Sequence, residues 1–168
     1  SARRLRQSGI DLVFVQDNHV YSREAGVLRG LHFQAPPHAQ AKLVRCVRGR
    51  VWDAAVDVRR GSPSYGRSVF AELSAENGLQ LFVPVGFAHG YVTLEAETEV
   101  EYKASDFYAP ESEGGVAWND PDLALPWPLG GREPILAAKD RALPRLADLE
   151  SPFAYDGAPL APLEVPAG

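Results

Sequence analysis

The sequence predicts an all-β domain, a sandwich or barrel, and three observations lead there. Short runs of β-branched, aromatic and aliphatic residues succeed one another along the 168 residues. Turn-forming Gly, Pro and Asn separate them at short intervals, the spacing of a sandwich or barrel. Helical patterning is confined to the first residues and to one stretch near the C-terminus, so repeated strand–helix units are not expected.

Each element has its own signal. "SARRLRQSG" at residues 1–9 predicts a short helix, and "IDLVFVQDNHVYS" at 10–22 alternates like a strand. The segment "GVLRGLHFQAPPHAQ" (26–40) is broken by Gly and Pro, which places His32 just after a glycine turn. After the Pro-Pro pair comes the strand "AKLVRCV" (41–47), then "VWDAAVDVRR" (51–60) beyond the turn "RGR". "SVFAEL" (68–73), "LQLFVPV" (79–85), "AHGYVTLE" (88–95) and "TEVEYKAS" (98–105) continue the series. "KDRALPRLADLE" (139–150) has a helical look. From about residue 129 the chain is rich in Pro, Gly and Ala, which predicts an irregular segment with short helices draped over one domain spanning 1–168.

Composition narrows the function. Hydrophobic content of 45% beside 23% charge is that of an ordinary globular protein. No apolar run reaches the roughly 20 residues a membrane helix needs, and the basic start has no apolar signal core. A net charge of −5 argues against a nucleic-acid partner. The single cysteine, Cys46, excludes an internal disulfide and a cysteine-based zinc cluster, and fits a cytoplasmic location.

Period-two alternation sorts the strand residues into faces. Lys42 shares a face with Val44 and Cys46. Thr98, Val100 and Tyr102 share another, with the glutamates opposite, and Phe87, His89, Tyr91 and Thr93 share a third. Titratable groups therefore line the inside. Taken singly, each has a bland reading. Lys42 can snorkel at a rim, His32 can be structural, and Tyr102 can satisfy a backbone carbonyl. Asp140 in "AAKD" can cap a helix. Trp118 and Trp127 read as packing residues, and His19 and His38 as loop or strand-end positions. The alternatives are a cation for developing negative charge at Lys42, an acid at Tyr102, and an anion site at Arg29 beside His32. A metal on His32 and His89 is disfavoured, because the first segment reads "HFQ" and not His-x-His.

Several long motifs stand in register. "GVLRGLHFQ", "AQAKLVRCVRGRVWDAAVDVR", "LSAEN", "VPVGFAHGYVTL", "EYKASDFYAPESEGGVAWNDPDLALPWP" and "AAKD" resemble the dTDP-4-dehydrorhamnose 3,5-epimerases from about Val15 to Asp140. The resemblance implies a cupin-type jelly roll that works without metal or other cofactor, as a homodimer, on a dTDP-linked 4-keto-6-deoxy sugar. By similarity His32 is the base, Asp140 its carboxylate partner, Lys42 the stabiliser of the enolate oxygen and Tyr102 the acid. Arg29 would bind the diphosphate, with Gln16 and Asn18 near the nucleotide, Tyr108 packing beside nucleotide or sugar, and His89 lining the site. Family chains carry a further N-terminal segment, part of which joins the partner subunit; here the sequence opens at "SARRLRQ". Enzymes that invert only C3 or only C5 share most of these motifs and form the alternative. A barrel that only binds nucleotide sugars would not need base, lysine and tyrosine together.

Overall fold

A computed structural model describes residues 1–157. The chain opens with helix α1 (Ala2–Gln7), and eight strands follow in order: β1 (Gln16–Ser22), β2 (Val27–Gln34), β3 (Lys42–Arg48), β4 (Arg50–Asp57), β5 (Ser68–Ser74), β6 (Gln80–Val83), β7 (Phe87–Thr93) and β8 (Thr98–Ala104). Two short strands, β9 (Glu113–Gly115) and β10 (Ile135–Leu136), and the helical turn α2 (Ala138–Arg141) complete the barrel. The smaller sheet runs β1-β8-β3-β6 and the larger β10-β2-β7-β4-β5, with β9 also on β2. All pairings are antiparallel except β10 with β2. This is the expected cupin-type barrel. Among the described residues no helix is long and apolar enough to cross a membrane.

The two sheets close on one apolar layer. Val44, Cys46, Leu81, Val83 and Val100 of the smaller sheet meet Val51, Ala55, Leu73 and Tyr91 of the larger. The alternation read for β3 and β8 is thus the one the barrel uses. A second layer lies outside the larger sheet, where Leu31, Phe33, Val56, Val58 and Ala88 are covered by Val116, Leu123 and Phe153. Phe33 and Phe153 meet edge to face at 5.3 Å. Burying each such side chain contributes about 1.5–3 kcal/mol, enough to hold a segment with little secondary structure. Up to residue 157 the C-terminal segment is held this way against the larger sheet. Trp127 packs edge-on to Trp52 and donates from Nε1 to the Trp118 carbonyl, so it is a packing residue.

Three expectations need correction. The first strand begins at Gln16 and not at Ile10; of the apolar residues ahead of it Leu12, Val13 and Val15 are exposed and Ile10 and Phe14 only half-buried. "KDRALPRLADLE" gives only α2 and a 3-10 turn at Leu146–Asp148, because Pro144 cannot continue a helix. Gly30 is no turn before His32 but an interior residue of β2. The residues past 157 lie outside the described part, so the predicted domain's last stretch is not seen.

Candidate active site

A cavity of about 330 Å³ opens between the sheets, lined by residues from both. From the larger sheet come Arg29 and His32 on β2 and His89 and Tyr91 on β7. From the smaller come Asn18 on β1, Lys42 on β3 and Tyr102 on β8. A wider depression of about 670 Å³ lies beside α1 and the strands of the smaller sheet, lined in part by Asp17, Arg45, Glu101 and Lys103. His32 and His89 line only the smaller cavity, which is therefore the candidate site.

Arg29 and His32 reach one wall through a defect in β2. Three residues apart, they would face opposite ways on a regular strand. Arg29 pairs with Tyr91 and His32 with His89, so three steps on β2 oppose two on β7. The extra residue is a β-bulge, which resets the alternation. Gly30 makes it possible. Its φ is +112°, and a Cβ there would lie 2.5 Å from the His89 carbonyl oxygen. Only glycine tolerates both the conformation and the approach.

Two histidine–carboxylate pairs follow. His32 Nε2 is 2.6 Å from Asp140 Oδ1, and His89 Nε2 is 2.8 Å from Asp53 Oδ1. Asp140 sits in α2 and is only 2% exposed, so it is neither a helix cap nor a surface residue. Each carboxylate accepts from Nε2–H and so orients the ring, leaving Nδ1 for other partners. His32 keeps 19% side-chain exposure toward the cavity, whereas His89 keeps 6%. The other two histidines stay peripheral, the exposed His19 on Glu99 at 2.8 Å and the half-buried His38 near Asp106 at 3.5 Å.

Lys42 and Tyr102 face these pairs from the smaller sheet. The Lys42 ammonium lies 5.7 Å from the centre of the Tyr102 ring. Burial pushes Lys42 down to about 8, with Glu113 and Asp53 working against that and Lys139 adding to it. Burial raises the Tyr102 phenol, while Lys139 and Arg29 lower it. At neutral pH the cavity therefore offers an ammonium and a protonated phenol.

The remaining expected residues are Arg29, Asn18, Gln16 and Tyr108. Arg29 Nε and Asn18 Nδ2 are buried without a hydrogen-bond partner, and both residues line the cavity. Such atoms are costly unless something completes them. Gln16 is not on the cavity wall. It donates to Asn18 Oδ1 at 3.0 Å and accepts from the Tyr108 backbone N–H at 2.9 Å, tying strand β1 to the aromatic loop. Tyr108 lines the mouth and is 55% exposed.

Sequence reasoning missed four participants. Asp53 looked like any strand aspartate, and only the barrel brings it under His89. Gln34 donates to the carbonyls of His38 and Phe107 and accepts from the Ala109 N–H, so it shapes the loop behind the cavity. Glu113 and Lys139 form a 2.7 Å pair at the rim. The string "HFQ" was the one available signal, for Gln34; the others lie too far apart in the chain for spacing to reveal them.

Comparison with known proteins identifies the family. The family model for dTDP-4-dehydrorhamnose 3,5-epimerase matches residues 1–148. A dTDP-4-dehydrorhamnose 3,5-epimerase from Sinorhizobium fredii is 49% identical, over 89% of this chain and 76% of its own length. The enzyme of that name from Salmonella typhimurium is 52% identical, over 82% of this chain and 74% of its own. The crystal structure of dTDP-6-deoxy-D-glucose-3,5-epimerase from Legionella pneumophila in complex with dTDP-4-keto-L-rhamnose superposes with a TM-score of 0.88 at 43% identity, covering 94% of this chain and 84% of that one. A family model matching residues 1–148 and relatives about half identical over most of the chain make it a member of the dTDP-4-dehydrorhamnose 3,5-epimerase family.

Proposed function

We propose that this chain converts dTDP-4-dehydro-6-deoxy-D-glucose to dTDP-4-dehydro-L-rhamnose by inverting C3 and C5. One observation carries the assignment of roles: His32 and Tyr102 stand on opposite sheets and face one cavity. A sugar lying between them meets a base on one face and an acid on the other, which inversion requires.

In this reading His32 takes the proton from the carbon next to the C4 ketone. The C–H electron pair moves into the ring as an enolate, and negative charge gathers on the C4 oxygen. Lys42 stabilises that oxygen, an interaction stronger in the transition state than in the ground state. Tyr102 returns a proton from the other side. Asp140 holds the His32 ring and stabilises the imidazolium, as the carboxylate of a catalytic triad does. Imidazolium and phenolate then exchange with solvent before the second carbon reacts. Arg29 takes the diphosphate, Asn18 the neighbouring nucleotide and Tyr108 packs at the mouth, with Gln16 bracing both and His89 completing the wall. We further propose that two copies associate, with Leu12, Val13 and Val15, exposed ahead of β1, as apolar surface for a second chain; light scattering of the purified protein tests this.

The roles separate in D2O. Tyr102→Phe keeps the base, so it exchanges substrate C–H for C–D without inverting the carbon, whereas His32→Asn does neither. Parental inversion by Tyr102→Phe would contradict the acid assignment.

A further inference from the structure

Three polar atoms on the inner face of the larger sheet are buried with no hydrogen-bond partner among the described residues: Arg29 Nε, Tyr91 Oη and Asp53 Oδ2. They belong to one row across three strands. Arg29 on β2 is paired with Tyr91 on β7, and Tyr91 with Asp53 on β4. Residues paired in this way share a face of the sheet. Asp53 alternates with Val51 and Ala55, which lie with Tyr91 in the inner apolar layer. Paired Cα atoms stand about 4.5–5.5 Å apart, so Arg29 and Asp53 are roughly 10 Å apart at Cα with Tyr91 between them. The fourth such atom, Asn18 Nδ2, is on β1 of the other sheet.

The hydrogen-bonding capacities along the row are complementary. Arg29 Nε–H only donates, a carboxylate oxygen of Asp53 accepts, and the Tyr91 hydroxyl does both. Burial raises the Tyr91 phenol well above its usual range, with Arg29 working against that and Tyr102 and Asp53 adding to it. The hydroxyl therefore keeps its proton. The other carboxylates lining the cavity are engaged elsewhere, Asp140 with His32 and Glu113 with Lys139. Asp53 gives Oδ1 to His89 and keeps Oδ2 for the row. Lys42 stands on the facing sheet, paired with Val83 and Ala104, and no strand register brings it beside Asp53. We propose that Tyr91 and Asp53 are positioning residues for Arg29: ordered water joins its Nε–H through the Tyr91 hydroxyl to Asp53 Oδ2. A water buried among polar groups typically makes about three such bonds. Held at Nε, the guanidinium turns its Nη groups toward the cavity, a fork for the oxygens of a diphosphate.

The inference rests on the diphosphate role given to Arg29, but its first test needs no ligand. Arginine labelled with ¹⁵N at Nε gives an Nε–H signal for Arg29, which Arg29→Lys removes and so assigns. In Tyr91→Phe and in Asp53→Asn this proton exchanges with solvent about tenfold faster than in the parent. Tyr102→Phe, which removes a phenol from the facing sheet, leaves its rate unchanged. A rise of less than about threefold in Tyr91→Phe overturns the inference. An equal rise in Tyr102→Phe overturns it too, because that would mark a general loosening of the cavity. If Asp53→Asn does not fold, Tyr91→Phe decides alone, since it takes away only a hydroxyl. Calorimetry then reads the consequence for binding. Tyr91→Phe weakens dTDP about five- to tenfold and leaves thymidine, which has no phosphate, at parental affinity. Parental dTDP affinity in Tyr91→Phe, beside a loss in Arg29→Lys, overturns the positioning role. Parental dTDP affinity in Arg29→Lys contradicts the diphosphate reading instead, and the exchange rates still decide the row.

Discussion

Strand β4 carries two buried aspartates, Asp53 and Asp57, four residues apart on one face. Asp57 is completed on every side. It accepts from the Arg59 backbone N–H, Nε and Nη2 and from the hydroxyls of Ser62 and Ser64, at 2.6–2.9 Å. The Arg59 guanidinium is sandwiched between Phe87 and Tyr155, at 5.0 and 5.1 Å from the ring centres. Asp53 has a single bond to His89 and an oxygen with no partner. Burial alone would raise the Asp57 carboxyl, but its hydrogen bonds override that and hold it at about 2. The contrast separates two uses of buried charge. A satisfied network holds the fold together, here by fastening the C-terminal segment to the barrel through Tyr155. An unsatisfied one waits for what completes it.

Substitutions in the two clusters should divide accordingly. The largest effect on turnover belongs to His32→Asn, a loss of about 10²–10⁴-fold in a steady-state assay, with the thermal midpoint near that of the parent. Lys42→Ala follows, with about 10²–10³-fold in kcat; parental turnover in that variant would remove the enolate role. On the other side of the comparison, Asp57→Asn leaves Arg59 buried without its counter-charge. It should cost about 3 kcal/mol of stability in urea unfolding while the folded enzyme retains its kcat. Asp57 has a lower pKa folded than unfolded, so its contribution is complete above its usual value of 3.8 and is lost as pH falls through about 2. The Asn variant lacks that acid-dependent part.

The pH dependence of Lys42 runs the opposite way for activity and stability. Its proton is needed for catalysis, so kcat/KM should fall as pH rises through about 8. Between that value and the usual 10.5 the unfolded chain binds more protons than the folded one. Over that window the Lys42 contribution to stability therefore rises with pH. The smallest effect is expected at the surface: His19→Gln, which breaks the exposed pair with Glu99, should change stability by no more than about 0.5 kcal/mol.

Much of the barrel was legible because its strands obey their own periodicity. Alternation placed Lys42 with Val44 and Cys46, Tyr102 with Val100, and His89 with Tyr91, and these are the inward faces. It failed at β2, where the bulge at Gly30 brings Arg29 and His32 to one wall against the period of two. A single residue's positive φ and a close approach between two backbones leave no periodic trace. Asp140 lay beyond any local rule as well. It comes 108 residues after His32 and is buried by a four-residue turn whose own sequence suggests a surface cap. The resemblance to the epimerases supplied that pairing, and the structure supplies its geometry. Neither composition nor resemblance pointed to Asp53, whose buried Oδ2 lacks a partner; its bond to His89 exists only once β4 and β7 lie side by side.

The central claim is proton transfer at both carbons beside the ketone, by groups on opposite walls of one cavity. It is tested most directly by incubating the protein with dTDP-4-dehydro-6-deoxy-D-glucose in D2O and reading the product by NMR. The account predicts deuterium at C3 and at C5 with both centres inverted. Deuterium at only one position would make the chain a mono-epimerase, and deuterium at neither would contradict the account.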